Sequence, residues 1–148
     1  MSITKREPQA CLTLEKAKRK VKNYKLKHSR LLTCYSALLY LLAVFVQKRT
    51  VSPTDAAAMI VLTPTERLEW LLQQRCLERA HKSISELLTK YENFLKATNA
   101  TEKELIERFL DKQTSRKYMG EAHTFGELVF EALTSIGTGN SFHRLLVV

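Results

Sequence analysis

Fifteen residues, KAKRKVKNYKLKHSR from Lys16 to Arg30, carry the densest run of reactive or charged side chains in the sequence. Eight are basic: Lys16, Lys18, Arg19, Lys20, Lys22, Lys25, Lys27 and Arg30. On a helix they cover most of the surface outside one narrow apolar line. Such a surface attracts phosphates and gains free energy by releasing their counterions. The block is local. Residues 1–30 hold ten Lys or Arg against only Glu7 and Glu15, whereas residues 31–148 hold fourteen basic against thirteen acidic residues. The net charge of +9 therefore sits almost entirely at one end of the chain. A nucleic acid or another polyanion is the expected partner. A solvated face, anionic lipid and an acidic protein are the competing explanations.

Other chemistry-bearing groups are sparse. Glu78 and His81 stand three apart, the spacing of a carboxylate-bridged metal site in a four-helix bundle. Such a site needs a second Glu/His pair and two further carboxylates, and Glu121 with His123 misses the spacing by one. Arg75 and His81 would serve as an Arg-plus-His nuclease pair only on one helical face, and six residues apart they do not share one cleanly. Gly137 and Gly139 form a Gly-rich turn with no strand before it and no Lys-bearing helix after it. That pattern fits a helix stop better than a phosphate cradle. No paired carboxylates and no nucleophile setting are present. The expectation is a non-catalytic protein with no metal, no cofactor and no catalytic residue.

Positioning the basic block requires a long helix. Apolar or semi-apolar residues recur at Leu14, Ala17, Val21, Tyr24, His28, Leu31, Tyr35, Leu38, Leu42 and Phe45. The steps alternate between 3 and 4, which predicts one helix over 12–48 with a heptad seam of coiled-coil type. Its second half, residues 31–47, carries no formal charge. Seventeen helical residues span about 26 Å, short of a hydrocarbon core of about 30 Å. Thr33, Ser36, Tyr40 and Gln47 fall mostly on one side of this stretch. The preferred reading is a bundle core or dimer seam built on Leu31, Tyr35, Leu38, Leu42 and Phe45. A membrane anchor through residues 31–47 is the alternative. Homodimerisation or a larger assembly is expected, since a helix apolar all round needs partners on several sides.

Helix starts follow at Ser52 with Pro53, at Thr63 with Pro64 and Glu66, and at Thr101 with Glu104. The second opens a single long helix, about 64–97, with no breaker before Asn99. The stretch from Asp55 to Arg75 has the outline of a helix-turn-helix, although its turn lacks the usual Gly and its second helix opens on few basic residues. An ordinary helical corner is the preferred explanation. Ser115–Gly120 reads as a basic loop, and a last helix is expected at about 124–136. Residues 1–11 are expected to fray, and the tail 137–148, ending SFHRLLVV, to form a short arm.

Cys11, Cys34 and Cys76 have no metal spacing and cannot all pair. They point to a reducing, cytoplasmic setting, with Cys34 and Cys76 as small core residues. Four Gly and three Pro allow few chain reversals. The expected fold is a single all-α domain, a helical bundle of about five helices, two of them long.

Overall fold

The computed structural model describes residues 13–137; the segment 1–11 assigned above to fraying, and the arm apart from its first residue, Gly137, lie outside them. The described chain is an all-α bundle. Its helices are α1 (Leu14–Lys48), α2 (Pro53–Val61), α3 (Pro64–Leu72), α4 (Glu78–Thr98), α5 (Glu102–Leu110) and α6 (Lys112–Gly137), with a single 3-10 turn at Arg75–Leu77. At 1.5 Å per residue, the 35 residues of α1 make a rod of about 52 Å. Every other helix packs on it.

Capping explains where the helices start. Thr13 Oγ1 accepts from Lys16 N at 3.3 Å and opens α1. Ser52 and Asp55 form a reciprocal capping box before α2, and Thr63 and Glu66 form another before α3. Thr101 accepts from Glu104 N and opens α5. These hydrogen bonds satisfy amides that the first helical turn leaves without partners. At its other end α1 stops at Arg49, whose φ of 61° lies in the left-handed region and whose N–H donates to Phe45 O at 2.7 Å.

Ring contacts give the topology. Tyr24 meets Tyr118, and His28 meets Phe125, so α1 and α6 run in the same direction. Phe94 on α4 stacks on His28, while Ser83, near the start of α4, donates to Glu131 near the end of α6. Helix α4 therefore runs antiparallel to both. Two larger apolar clusters lie along α1, beside a smaller one in which Tyr40 and Val44 meet Met59 of α2. One, at its basic end, joins Ala17, Val21 and Tyr24 to Phe94, Leu105, Phe109 and Ala122. The other joins Leu32, Leu39, Leu42 and Ala43 to α3, α4 and α6. Tyr91 packs against both.

Three details depart from the sequence expectations. First, the single long helix expected over 64–97 is two. The chain breaks after Leu72 without Gly or Pro, and Gln74 adopts an extended ψ of 108°. Side chains replace the lost helical bonds: Gln74 Nε2 donates to Trp70 O at 3.1 Å, and His81 Nε2 lies 2.9 Å from Gln74 O. Second, residues 115–120 are helical. Asp111 Oδ2 accepts from Thr114 N at 3.0 Å and from Thr114 Oγ1 at 2.6 Å, starting α6 well before residue 124. The first change makes six helices of the expected five, and the second lengthens the last one. Third, Cys34 and Cys76 are exposed, not core residues. Cys34 falls on the outer side of α1, and Cys76 Sγ takes a hydrogen bond from Gln47 Nε2 at 3.1 Å.

The buried line of α1 also departs from a heptad. It runs through Ala17, Val21, Tyr24, His28, Leu32, Ser36, Leu39 and Ala43. Its steps of 4, 3, 4, 4, 4, 3 and 4 average close to the 3.6-residue turn of a straight helix. Of the five residues assigned to the seam, Leu42 is buried, while Leu31, Tyr35, Leu38 and Phe45 are half-buried. Leu31 and Tyr35 lean on the edge of the core.

Candidate functional site

The basic half of α1 keeps its charges in solvent. Lys16, Lys18, Arg19, Lys22, Lys27 and Arg30 are exposed, and Lys20 and Lys25 are half-exposed. Among the described residues the ion pairs are Lys48–Asp55 at 2.9 Å and His123–Glu127 at 3.2 Å, and neither uses any of the eight.

The eight do not form one surface. Lys16, Arg19, Lys20, Lys27 and Arg30 line up at steps of three and four with Asn23 on an outward stripe. Lys27 shares a shallow depression of about 520 Å³ with Glu127 and Glu131 of α6, so its charge has acidic neighbours. Lys18, Lys22 and Lys25 turn the other way and wall a groove beside α5. Tyr24 and His28, which lie within the basic block, point inward and are 1% and 2% exposed. They cannot contact a ligand; they hold the helix in place.

That inward cluster is aromatic. His28 stacks on Phe94 with ring centroids 4.3 Å apart and planes 6° from parallel. Tyr24 meets His28, Phe94 and Tyr118 edge-on. His28 Nδ1 lies 3.0 Å from Tyr24 O. Burial pushes the His28 imidazole below its usual pKa, with Lys27 adding to the effect, although the bond to Tyr24 O works the other way. Burial likewise raises the Tyr24 phenol, helped by Glu121 and Tyr118. Neutral, ring-packed side chains thus support a helix whose outer faces are strongly charged.

The remaining sequence candidates have structural occupations. Arg67, near the start of α3, donates from Nε to Met59 O at 3.1 Å and from Nη1 to Ser36 Oγ at 3.2 Å. It is tied to α1 and α2, which leaves Glu66 and Glu69 as the exposed charged residues in α3, the second helix of the helix-turn-helix outline. An acidic face of this kind repels phosphates. His81 sits on Gln74 O, while Arg75 and Glu78 are exposed. Among the described residues no group of three His, Cys, Asp or Glu is placed to hold a metal ion. The Gly-rich turn beyond Gly137 lies outside the described residues.

Helix α1 is long and apolar enough to cross a membrane by length and composition, and 39% of its most apolar window is buried against protein. What sequence reasoning missed is the division of the basic block into two sides. Helical spacing alone held that signal, because Lys18, Lys22 and Lys25 follow one another at steps of four and three. No protein-family model matches the chain, and no curated protein or solved structure matches it either.

Proposed function

We propose that the chain is a non-catalytic module that binds a nucleic-acid duplex, or a comparable polyanion, through the outward stripe of α1. The observation that carries this reading is the exposure of Lys16, Arg19 and Arg30 along one face, with no acidic partner in an ion pair among the described residues. A rigid helix supported by a packed aromatic cluster presents these charges at fixed spacing, so little ordering free energy is spent on binding. Cations on a helix face neutralise backbone phosphates without reading bases, so affinity with weak sequence preference is the expected outcome.

Fluorescence anisotropy with a labelled mixed-sequence DNA duplex, titrated across salt, tests it. Four or five phosphate contacts give a log–log slope of about −3.6 to −4.5. Replacing Lys16, Arg19, Lys27 and Arg30 together with Gln should lower affinity at every sequence and reduce the slope by about one per lost contact. Unchanged affinity and slope in a variant of normal helicity would refute the assignment.

A second reading, association of copies through the uncharged end, is favoured by Ile60 and Val61 of α2, which are 69% and 82% exposed. Isolated exposed aliphatics are ordinary, whereas adjoining ones next to a half-buried apolar flank mark contact surfaces. Light scattering in buffer without detergent decides it: a monomer mass argues against association, and recovery only in detergent favours the membrane anchor.

A further inference from the structure

The groove between the basic half of α1 and helix α5 differs in kind from the outward stripe. It encloses about 890 Å³, and Leu14, Val21, Leu26, Ile106 and Leu110 supply its apolar lining. It is open to solvent along one side rather than closed over. From Leu14 to Leu26 the α1 wall runs about 18 Å, or three helical turns. The two walls carry different charges. The α1 wall presents Lys18, Lys22 and Lys25, spread over about 10 Å of helix. The α5 wall presents Glu102 and Glu107, with Lys103 between them. A duplex has no apolar surface to cover this floor, and its phosphates would meet Glu102 and Glu107. A single-headed amphiphile would use one lysine and leave the others idle.

We infer that this groove docks an amphipathic helix of a partner protein. Its apolar stripe lies on the floor, its acidic flank faces α1, and its basic flank faces α5. The three-turn length suits apolar anchors at i, i+3, i+4 and i+7. The opposed wall charges fix the direction in which the helix lies, because reversing it would set like charges against each other. This surface is separate from the duplex-binding stripe, and the two readings stand or fall independently.

The test uses the full chain and fluorescein-labelled synthetic helical peptides that share one Leu stripe, read by anisotropy at physiological salt. One peptide carries Glu on one flank and Lys on the other, one carries Lys on both flanks, and one carries Glu on both. A fourth keeps the mixed flanks but replaces the Leu stripe with Ser. The mixed-flank peptide is expected to bind at least tenfold more tightly than the doubly basic one, and the Ser-stripe peptide not to bind. The Lys18→Glu/Lys22→Glu/Lys25→Glu variant makes both walls acidic and should reverse that preference. Should this variant not fold, Glu107→Lys on the exposed face of α5 should shift preference toward the doubly acidic peptide. The inference is overturned if the Ser-stripe peptide binds equally, if the charge-reversed variants keep the original preference, or if the full chain binds none of the peptides. It also fails if dodecyl phosphate binds in the groove and the mixed-flank peptide does not. Duplex binding that persists without peptide binding would remove this inference and leave the duplex reading intact.

Discussion

At the residue scale, three polar side chains of the described chain should respond differently to substitution. Ser52 closes a capping box, accepting from Asp55 N at 3.2 Å while Asp55 Oδ2 accepts from Ser52 N at 3.0 Å. Ser52→Ala should lower stability by about 1 kcal/mol in urea unfolding. Ser115 is fully buried, and its Oγ has no hydrogen-bond partner among the described residues. Ser115→Ala should leave stability unchanged or raise it by up to about 1 kcal/mol, because an unsatisfied buried hydroxyl carries a desolvation cost. His28 is buried, and its folded-state pKa lies below the unfolded value of 6.5. The folded state then binds protons less readily than the unfolded chain. Its contribution is intact above pH 6.5 and is lost as pH falls below that value. Thermal unfolding followed from pH 8 to pH 5 should show a falling Tm that His28→Phe largely flattens; equal slopes in the two proteins would remove His28 as the cause. Asp55 acts in a lower window. Its bonds to Ser52 and Lys48 hold its carboxyl at about pKa 2, so that contribution fades only as pH drops below the ordinary carboxylate range.

At the element scale, the line of burial on α1 decides which leucines matter. Leu39 is 1% exposed within the main core, while its neighbour Leu38 is only half-buried. Leu39→Ala should cost about 2–5 kcal/mol. Leu38→Ala should cost under about 1 kcal/mol, and equal losses would mean that the line follows the heptad after all. The helix and its polarity were legible in the sequence: the extent of α1, its capping Thr13, the starts at Ser52, Thr63 and Thr101, and the exposed basic half all follow from local patterns. The register was not, because steps of 3 and 4 through Leu31, Tyr35 and Leu38 fit an apolar all-round stretch as well as Leu32, Ser36 and Leu39 do. Neighbouring helices chose between them. The break at Gln73 and Gln74 was hidden for a similar reason. Local propensity favours continued helix there, and side-chain bonds from Gln74 and His81 favour the kink only once the fold has formed. The early start of α6 was readable in principle, since Asp111 with Thr114 is a capping signal; basic Arg116 and Lys117 masked it as a loop. Of the candidate site, residue types were visible, but the division of lysines between stripe and groove required knowing where α5 lies.

At the scale of the whole molecule, the two larger core clusters share α1, α4 and α6, and Tyr91 bridges them. Neither can lose its packing without exposing the other, so the chain should unfold as one unit. Trp70, the sole tryptophan, reports the far end, where it lies 4.2 Å from the Tyr40 ring. Its fluorescence and far-ultraviolet circular dichroism should trace coincident urea curves. Separated midpoints would show that the basic end melts independently.

The length of α1 has a bearing on hydrodynamics. A sphere for a chain of 148 residues, with a radius of gyration of about 15 Å, would be under 40 Å across, well short of a 52 Å rod. The molecule must therefore tumble and migrate as an elongated particle. On a gel-filtration column a monomer of 17.0 kDa will elute slightly ahead of globular standards of equal mass. Elution volume alone will overstate its mass, whereas sedimentation equilibrium, which is blind to shape, will not.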